Sequence, residues 1–121
     1  MICHNGRILD WQVQRCETFR TRSRGMLGVR CTGRHQAWRL RACSAVHSVG
    51  MRQAIDLAFC GAGGRVMRVV ENLPPWRIRW CVGSRSVWEF PAGAVRELGL
   101  HTGDWLMALD LCGGVQPGKT P

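Results

Sequence analysis

Glycine and proline cut much of this chain into pieces too short for long helices. Gly61-Ala62-Gly63-Gly64 separates residues 54–60 from residues 65–71, a strong hairpin signal. Pro74-Pro75 ends the second piece, and Thr102-Gly103-Asp104 turns the chain tightly into residues 105–111. The pieces between these breaks are apolar, and 65–71 is rich in β-branched Val. Trp38, Leu40 and Ala42 alternate with Arg39 and Arg41, the period of a half-buried strand. Val87 and Glu89 alternate in the same way with Trp88 and Phe90. Residues 7–16 and 76–82 read as further strands. Residues 91–99 read as a compact helix, with Pro91 in its first turn and Gly99 just past its end. Residues 21–28 read as a short helical turn. The expected fold is mostly β with a minor α component, a small β-barrel or jelly-roll-like sandwich carrying one or two short helices.

A chain of 121 residues with 45% hydrophobic content is one globular domain. The expected boundaries are 1–112 for the domain and 113–121 for a disordered Gly- and Pro-rich tail. No apolar run approaches the roughly 20 residues that a membrane-crossing helix needs. The first residues lack the basic-then-apolar order of an export signal, so a cytoplasmic location is expected. The seven cysteines, an odd number with no Cys-x-x-Cys pair, read as free thiols, several acting as small core hydrophobes. The net charge of +9 is lopsided. Residues 1–52 hold ten Arg against Asp10 and Glu17, while residues 53–121 are nearly balanced. A basic half attracts polyanions. Sixteen Arg against one Lys also fits a bias in codon composition.

Several separated motifs run along the chain. Arg22-Ser23-Arg24-Gly25-Met26-Leu27-Gly28 comes first. Cys43-Ser44-Ala45-Val46-His47 then runs on through Met51, Arg52 and Ile55-Asp56 to Phe59. Leu73-Pro74-Pro75-Trp76-Arg77, Val87-Trp88-Glu89-Phe90-Pro91-Ala92-Gly93 and Leu98-Gly99-Leu100-His101-Thr102-Gly103-Asp104 follow. Their order over about residues 16–110 resembles the bacterial and archaeal domain-of-unknown-function family 192. The branch in question carries a C-x-x-V-H-T-x-x-M-x-x-P-I-D-V-x-F segment. The resemblance implies a compact β-barrel or jelly-roll-like fold and no established activity. Ser48 stands where the family has Thr, Ala54 where it has Pro, and Cys60-Gly61 where a carboxylate is common. Residues 30–41, rich in Arg, match no family signature.

Three chemistries compete for the candidate residues. His47 with Asp56 can form a proton-transfer pair, and His47 with Met51 offers ligands for a soft metal. The bland alternative has His47 bonding a loop backbone, Met51 filling core and Asp56 bracing a turn. Arg30, Arg34, Arg39 and Arg41 with Trp38 form a basic strip with an aromatic for stacking, as in single-strand nucleic-acid binders. The same alternation suits a strand face with Arg39 and Arg41 in solvent. Cys31-x₃-His35 and Cys43-x₃-His47 supply four zinc-type ligands, although standard fingers pair like ligands. No nucleophile–base–orienter arrangement is evident. Of six Trp, most are expected in the core. Trp76 and Trp80 are the two expected at a surface, and an exposed Trp beside Arg77 and Arg79 would mark a binding site.

The leading expectation is therefore a non-catalytic binding or accessory module that needs no cofactor. Its cleft would lie near Arg24, His47, Met51, Asp56 and Glu89 and take a small polar ligand or a protein segment. The first alternative is an Arg-driven nucleic-acid binder using the basic N-terminal half. The second is a metal-dependent or hydrolase-like enzyme built on His47 and Asp56.

Overall fold

A computed structural model describes residues 1–16, 35–41, 45–47, 53–110 and 114–115. The strands are β1 (Ile2–His4), β2 (Arg7–Leu9), β3 (Gln12–Cys16), β4 (Gln36–Arg41), β5 (Ala45–His47), β6 (Ile55–Cys60), β7 (Val66–Leu73), β8 (Ile78–Trp80), β9 (Ser86–Pro91), β10 (Leu106–Asp110) and β11 (Gly114–Val115). One helix, α1 (Ala94–Leu98), follows β9. The strands form a five-stranded sheet β3-β4-β9-β6-β7, a four-stranded sheet β11-β10-β1-β2 and a two-stranded ribbon β5-β8. None closes on itself, so of the two expected architectures the sandwich holds and the barrel does not.

The five-stranded sheet is the middle layer. Buried on both faces, its central strand β6 reads as an almost continuous apolar run, Ile55-Asp56-Leu57-Ala58-Phe59-Cys60. Register fixes what each face carries. Ala58 lies opposite Trp88 and Cys60 opposite Ser86, while Leu57 lies opposite Glu89 and Phe59 opposite Val87. Ala58, Cys60, Trp88 and Phe90 pack with Ile2, Leu106 and Ala108 of the four-stranded sheet and with Ala94 and Val95 of α1. On the opposite face Ile55, Leu57, Phe59 and Val87 pack with Val46 of the ribbon.

Gly64 ties the two larger sheets together. Its φ is +90°, and a Cβ there would lie 2.6 Å from the Leu106 carbonyl oxygen. Only glycine lets the turn between β6 and β7 press this closely on β10. Val66 N–H then donates to Asp104 O at 2.7 Å and Gly103 N–H to Val66 O at 2.8 Å.

Some expected elements are redrawn. Residues 7–16 form two strands in different sheets, because the chain turns at Asp10-Trp11 to bury the Trp11 ring edge-on against Phe90, 5.7 Å away. Pro91 closes β9 instead of opening the helix, whereas Gly99 does end α1 in the left-handed conformation. Gly114 and Val115, within the tail expected to be disordered, pair with Asp110 and Leu109. The helical turn expected at 21–28 lies outside the described residues. Among the described residues no helix is long and apolar enough to cross a membrane.

Candidate binding surface

The ribbon carries an inverted pattern. Alternate residues 76, 78, 80 and 82, in β8 and the turns that flank it, are all apolar and exposed: Trp76 65%, Ile78 53%, Trp80 56% and Val82 87%. The intervening Arg79 and Cys81 are half-buried, and Cys81 packs toward the ribbon's core cluster. Val46, opposite Arg79, is buried in that cluster. So the segment through β8 turns Arg79 and Cys81 toward the protein and Trp76, Ile78 and Trp80 toward water.

Local chemistry holds this arrangement. Pro74-Pro75-Trp76-Arg77 is a turn in which Trp76 takes a φ of +65°. A proline followed by a left-handed residue is the pattern of a type II turn, where glycine is the usual occupant. A Trp there carries backbone strain of about 1 kcal/mol or more. Arg68 Nη1, on β7, donates to the Trp80 carbonyl at 2.6 Å and pins β8 from the side. Arg79 Nη1 donates to the Ile78 carbonyl at 2.7 Å, which keeps its guanidinium along the strand. Met67, also exposed, reaches the Val82-Gly83 turn, 3.6 Å from where a Gly83 Cβ would sit. Across residues 61–85 the charged side chains are Arg65, Arg68, Arg77, Arg79 and Arg85 against a lone acid, Glu71. The stripe is thus apolar and aromatic, with the exposed Arg68 and Arg77 beside it.

The residues singled out from sequence separate onto different parts of the fold. His47 pairs in register with Ile78, and Ala45 with Trp80, so His47 belongs to the ribbon. Asp56 is on the other face of the middle sheet from Glu89, whose register partner is Leu57. Asp56 is wholly buried and fully engaged. Its Oδ1 accepts from Asn72 N–H at 2.8 Å, and its Oδ2 from Gly93 N–H at 3.1 Å and Val95 N–H at 2.9 Å. It braces the start of α1 against β7, with both oxygens already accepting backbone N–H bonds. That is the bracing role weighed against catalysis from the sequence.

Glu89 is different. It is 4% exposed, between Trp38 and Leu57 in register, and its Oε1 has no hydrogen-bond partner among the described residues. Burial pushes its carboxyl up to about 8. Arg39 is 1% exposed and shares its face with Trp88 and Cys60, so it cannot belong to a solvent-facing basic strip. Both faces of β4 are covered, which the Trp-Arg-Leu-Arg alternation does not reveal. Arg41 and Trp38 are half-buried. Arg24, Arg30, Arg34, Met51, Cys31 and Cys43 lie outside the described residues. Of the zinc-type set, His35 is described: its Nε2 pairs with Glu97 Oε1 at 3.0 Å and its ring stands 4.9 Å from Trp11.

A cavity of about 230 Å³ is lined by His4, Arg7, Asp10, Trp11, His35 and Glu97 among others. Its histidines already have carboxylate partners, His4 bonding Asp104 at 2.8 Å. That bond, seconded by the His101 backbone N–H, holds the Asp104 carboxyl below its usual value. Among the described residues no three His, Cys, Asp or Glu side chains are grouped to hold a metal. Cys60, buried in the sandwich, has its thiol pushed up to about 12 by desolvation, with Arg39 pulling it the other way.

The model of the DUF192 family, described as "Uncharacterized ACR", matches residues 1–108. Two crystal structures are similar in fold. A protein of unknown function from Novosphingobium aromaticivorans is 18% identical with a TM-score of 0.73, over 81% of this chain and 75% of that one. A protein from Sinorhizobium meliloti described as "a putative transcription regulator" is 22% identical with a TM-score of 0.75, over 84% of each chain. Comparison with curated proteins returned no match.

Proposed function

This chain belongs to the DUF192 family, and from that premise we propose that it is a non-catalytic binding module whose docking surface is the outward side of the β5-β8 ribbon. One observation carries the reading. Trp76, Ile78, Trp80 and Val82 alternate through β8 and its flanking turns, and all are exposed to water. Folding by itself favours the opposite arrangement, with arginines outward and tryptophans inward. Each exposed Trp forgoes the burial of much of its ~150–250 Å² of surface. A contiguous aromatic stripe with a charged rim is what interfaces look like before they are covered. The Arg rim selects an acidic partner.

The test compares the wild-type chain with a Trp76→Ala/Trp80→Ala double variant. Binding of fluorescently labelled polyglutamate, single-stranded oligonucleotide and anionic lipid vesicles is measured for both. The reading expects one of these probes to bind the wild type and to lose tenfold or more in affinity with the double variant, whose circular dichroism stays unchanged. If every probe that binds does so equally well to both proteins, or none binds, the ribbon is not the docking surface.

Glu89 supports a second reading, in which a small polar ligand supplies a hydrogen-bond donor to its unpartnered Oε1, on the sheet face whose Leu57 packs with Val46 of the ribbon. Arg24 and Met51, expected beside it from the sequence motifs, lie outside the described residues. Small amines and amides that raise the melting temperature of wild type but not of Glu89→Leu would support it. A shift of equal size in both proteins would refute it.

A further inference from the structure

Resting on the docking surface just argued, we propose that its partner is single-stranded nucleic acid, with bases stacking on Trp76 and Trp80 and phosphates meeting the surrounding arginines. Three features of the stripe select this partner.

The first is spacing. Outward side chains on an extended segment recur every two residues, about 6.7 Å at 3.3 Å per residue. Trp76 and Trp80 are two such steps apart, up to about 13 Å, so each ring offers its face to a separate base. The stripe is also one side chain wide. Trp80 lies opposite the short Ala45 on the ribbon and is 56% exposed. A single strand of bases can follow such a track, whereas a bilayer calls for a broad apolar face. Duplex DNA keeps its bases inside the stack and offers no ring face to these tryptophans.

The second is charge. Phosphate oxygens suit the guanidinium fork, and the exposed Arg68 and Arg77, bonded to the Trp80 and Trp76 carbonyls, stand beside the stripe. A second copy of this chain, itself +9, is repelled from that rim. An acidic peptide satisfies the arginines and leaves the indole faces in water. Stacking on an indole, by contrast, is available to every base and independent of sequence.

The third is the backbone at Trp76. A bulky ring is held at φ +65°, where glycine would be relaxed, and is left 65% exposed. Such strain persists in folded proteins chiefly where the displayed group has a use. It also supplies a clean variant. Trp76→Gly removes the ring and relieves the turn, so binding and folding separate.

The experiment measures anisotropy of a fluorescein-labelled oligothymidylate of about 15 nucleotides with the full-length chain, at about 50 mM and 200 mM salt. Wild type is expected to bind, and its affinity to fall with salt. Trp80→Ala and Trp76→Gly each weaken binding by about 5- to 100-fold, from loss of one stacked base, and neither lowers the melting temperature. Trp80→Phe restores part of the loss. Arg77→Ala lowers the slope of log affinity against log salt by about 0.7, for one single-strand phosphate contact. An abasic oligomer of equal charge binds more weakly than oligothymidylate.

Oligothymidylate binding that ignores Trp76 and Trp80, or that an equal-length duplex or the abasic oligomer matches, overturns the proposal. Polyglutamate or anionic vesicles that bind in a Trp76- and Trp80-dependent way while oligothymidylate does not would keep the docking surface and overturn the nucleic-acid assignment. Absence of binding by all probes overturns both.

Discussion

Replacing Asp56 with Ala removes the acceptor for three backbone N–H groups at once, those of Asn72, Gly93 and Val95. An orphaned buried amide costs about 1–3 kcal/mol. The Val95 bond is fully buried and incurs most of that range, while the Asn72 and Gly93 bonds are part-buried and water can reach their donors more easily. The sum comes to about 4 kcal/mol, a large share of the 5–15 kcal/mol typical of a domain. With a urea slope near 2 kcal/mol per molar, the unfolding midpoint falls by about 2 M. Asp56→Asn keeps one acceptor oxygen for the Gly93 and Val95 pair and turns an amide donor toward Asn72 N–H. Its loss is about 2 kcal/mol. Urea unfolding followed by circular dichroism measures both. Amide exchange at Val95 speeds in the Ala variant before global unfolding, because α1 loses its anchor. If Asp56→Ala moves the midpoint by less than about 0.5 M, the bracing role is wrong and the carboxylate is free for chemistry.

Glu89 makes the opposite pH signature from an ordinary carboxylate. Burial raises it from 4.5 to about 8, so between those values the folded state holds a proton that the unfolded state has released. Stability is highest below about pH 4.5 and declines toward pH 8, by up to about 1.4 kcal/mol per pH unit. Urea titrations at pH 5, 7 and 9 should show this slope in wild type and not in Glu89→Gln; equal slopes would refute it. Asp104, lowered by its bond from His4, contributes stability above its unfolded value that is lost as pH falls through its folded one. Asp104→Asn should accordingly flatten the acid limb below about pH 4, and an unchanged limb would dismiss the pair. Gly64→Ala must move the Leu106 carbonyl as well as strain a φ of +90°, and should lose about 2–4 kcal/mol. A loss under about 1 kcal/mol would mean that β10 yields easily. Cys60, enclosed and with its thiol at about 12, should resist thiol reagents until the protein unfolds, while the half-buried Cys3 and Cys81 react first.

The sequence by itself determined what depends on short-range chemistry. Gly61–Gly64 and Pro74-Pro75 place the ends of β6 and β7, because few residues other than glycine tolerate those turns and proline cannot continue a ladder. The near-continuous apolar run of β6 announces a strand covered on both faces. Gly99 ends α1 in the left-handed conformation that favours it. Trp76 and Trp80 were legible as surface tryptophans from their arginine neighbours, and the family was legible from motif order.

The tertiary structure alone decided which side of each pattern meets water. A period of two says that Trp76, Ile78 and Trp80 share a side, and likewise that Arg39 and Arg41 do. It is silent on which side is covered, since that depends on strands distant in the chain. So β4 buries Arg39 between layers while β8 exposes its tryptophans, two Trp-Arg alternations with opposite outcomes. Asp56 was conspicuous as the one charge in a buried strand. Its partners lie 16, 37 and 39 residues away, and no local spacing could have named them. Pairing register brought them together, and it also set Asp56 and Glu89, one strand apart, on opposite faces of the same sheet.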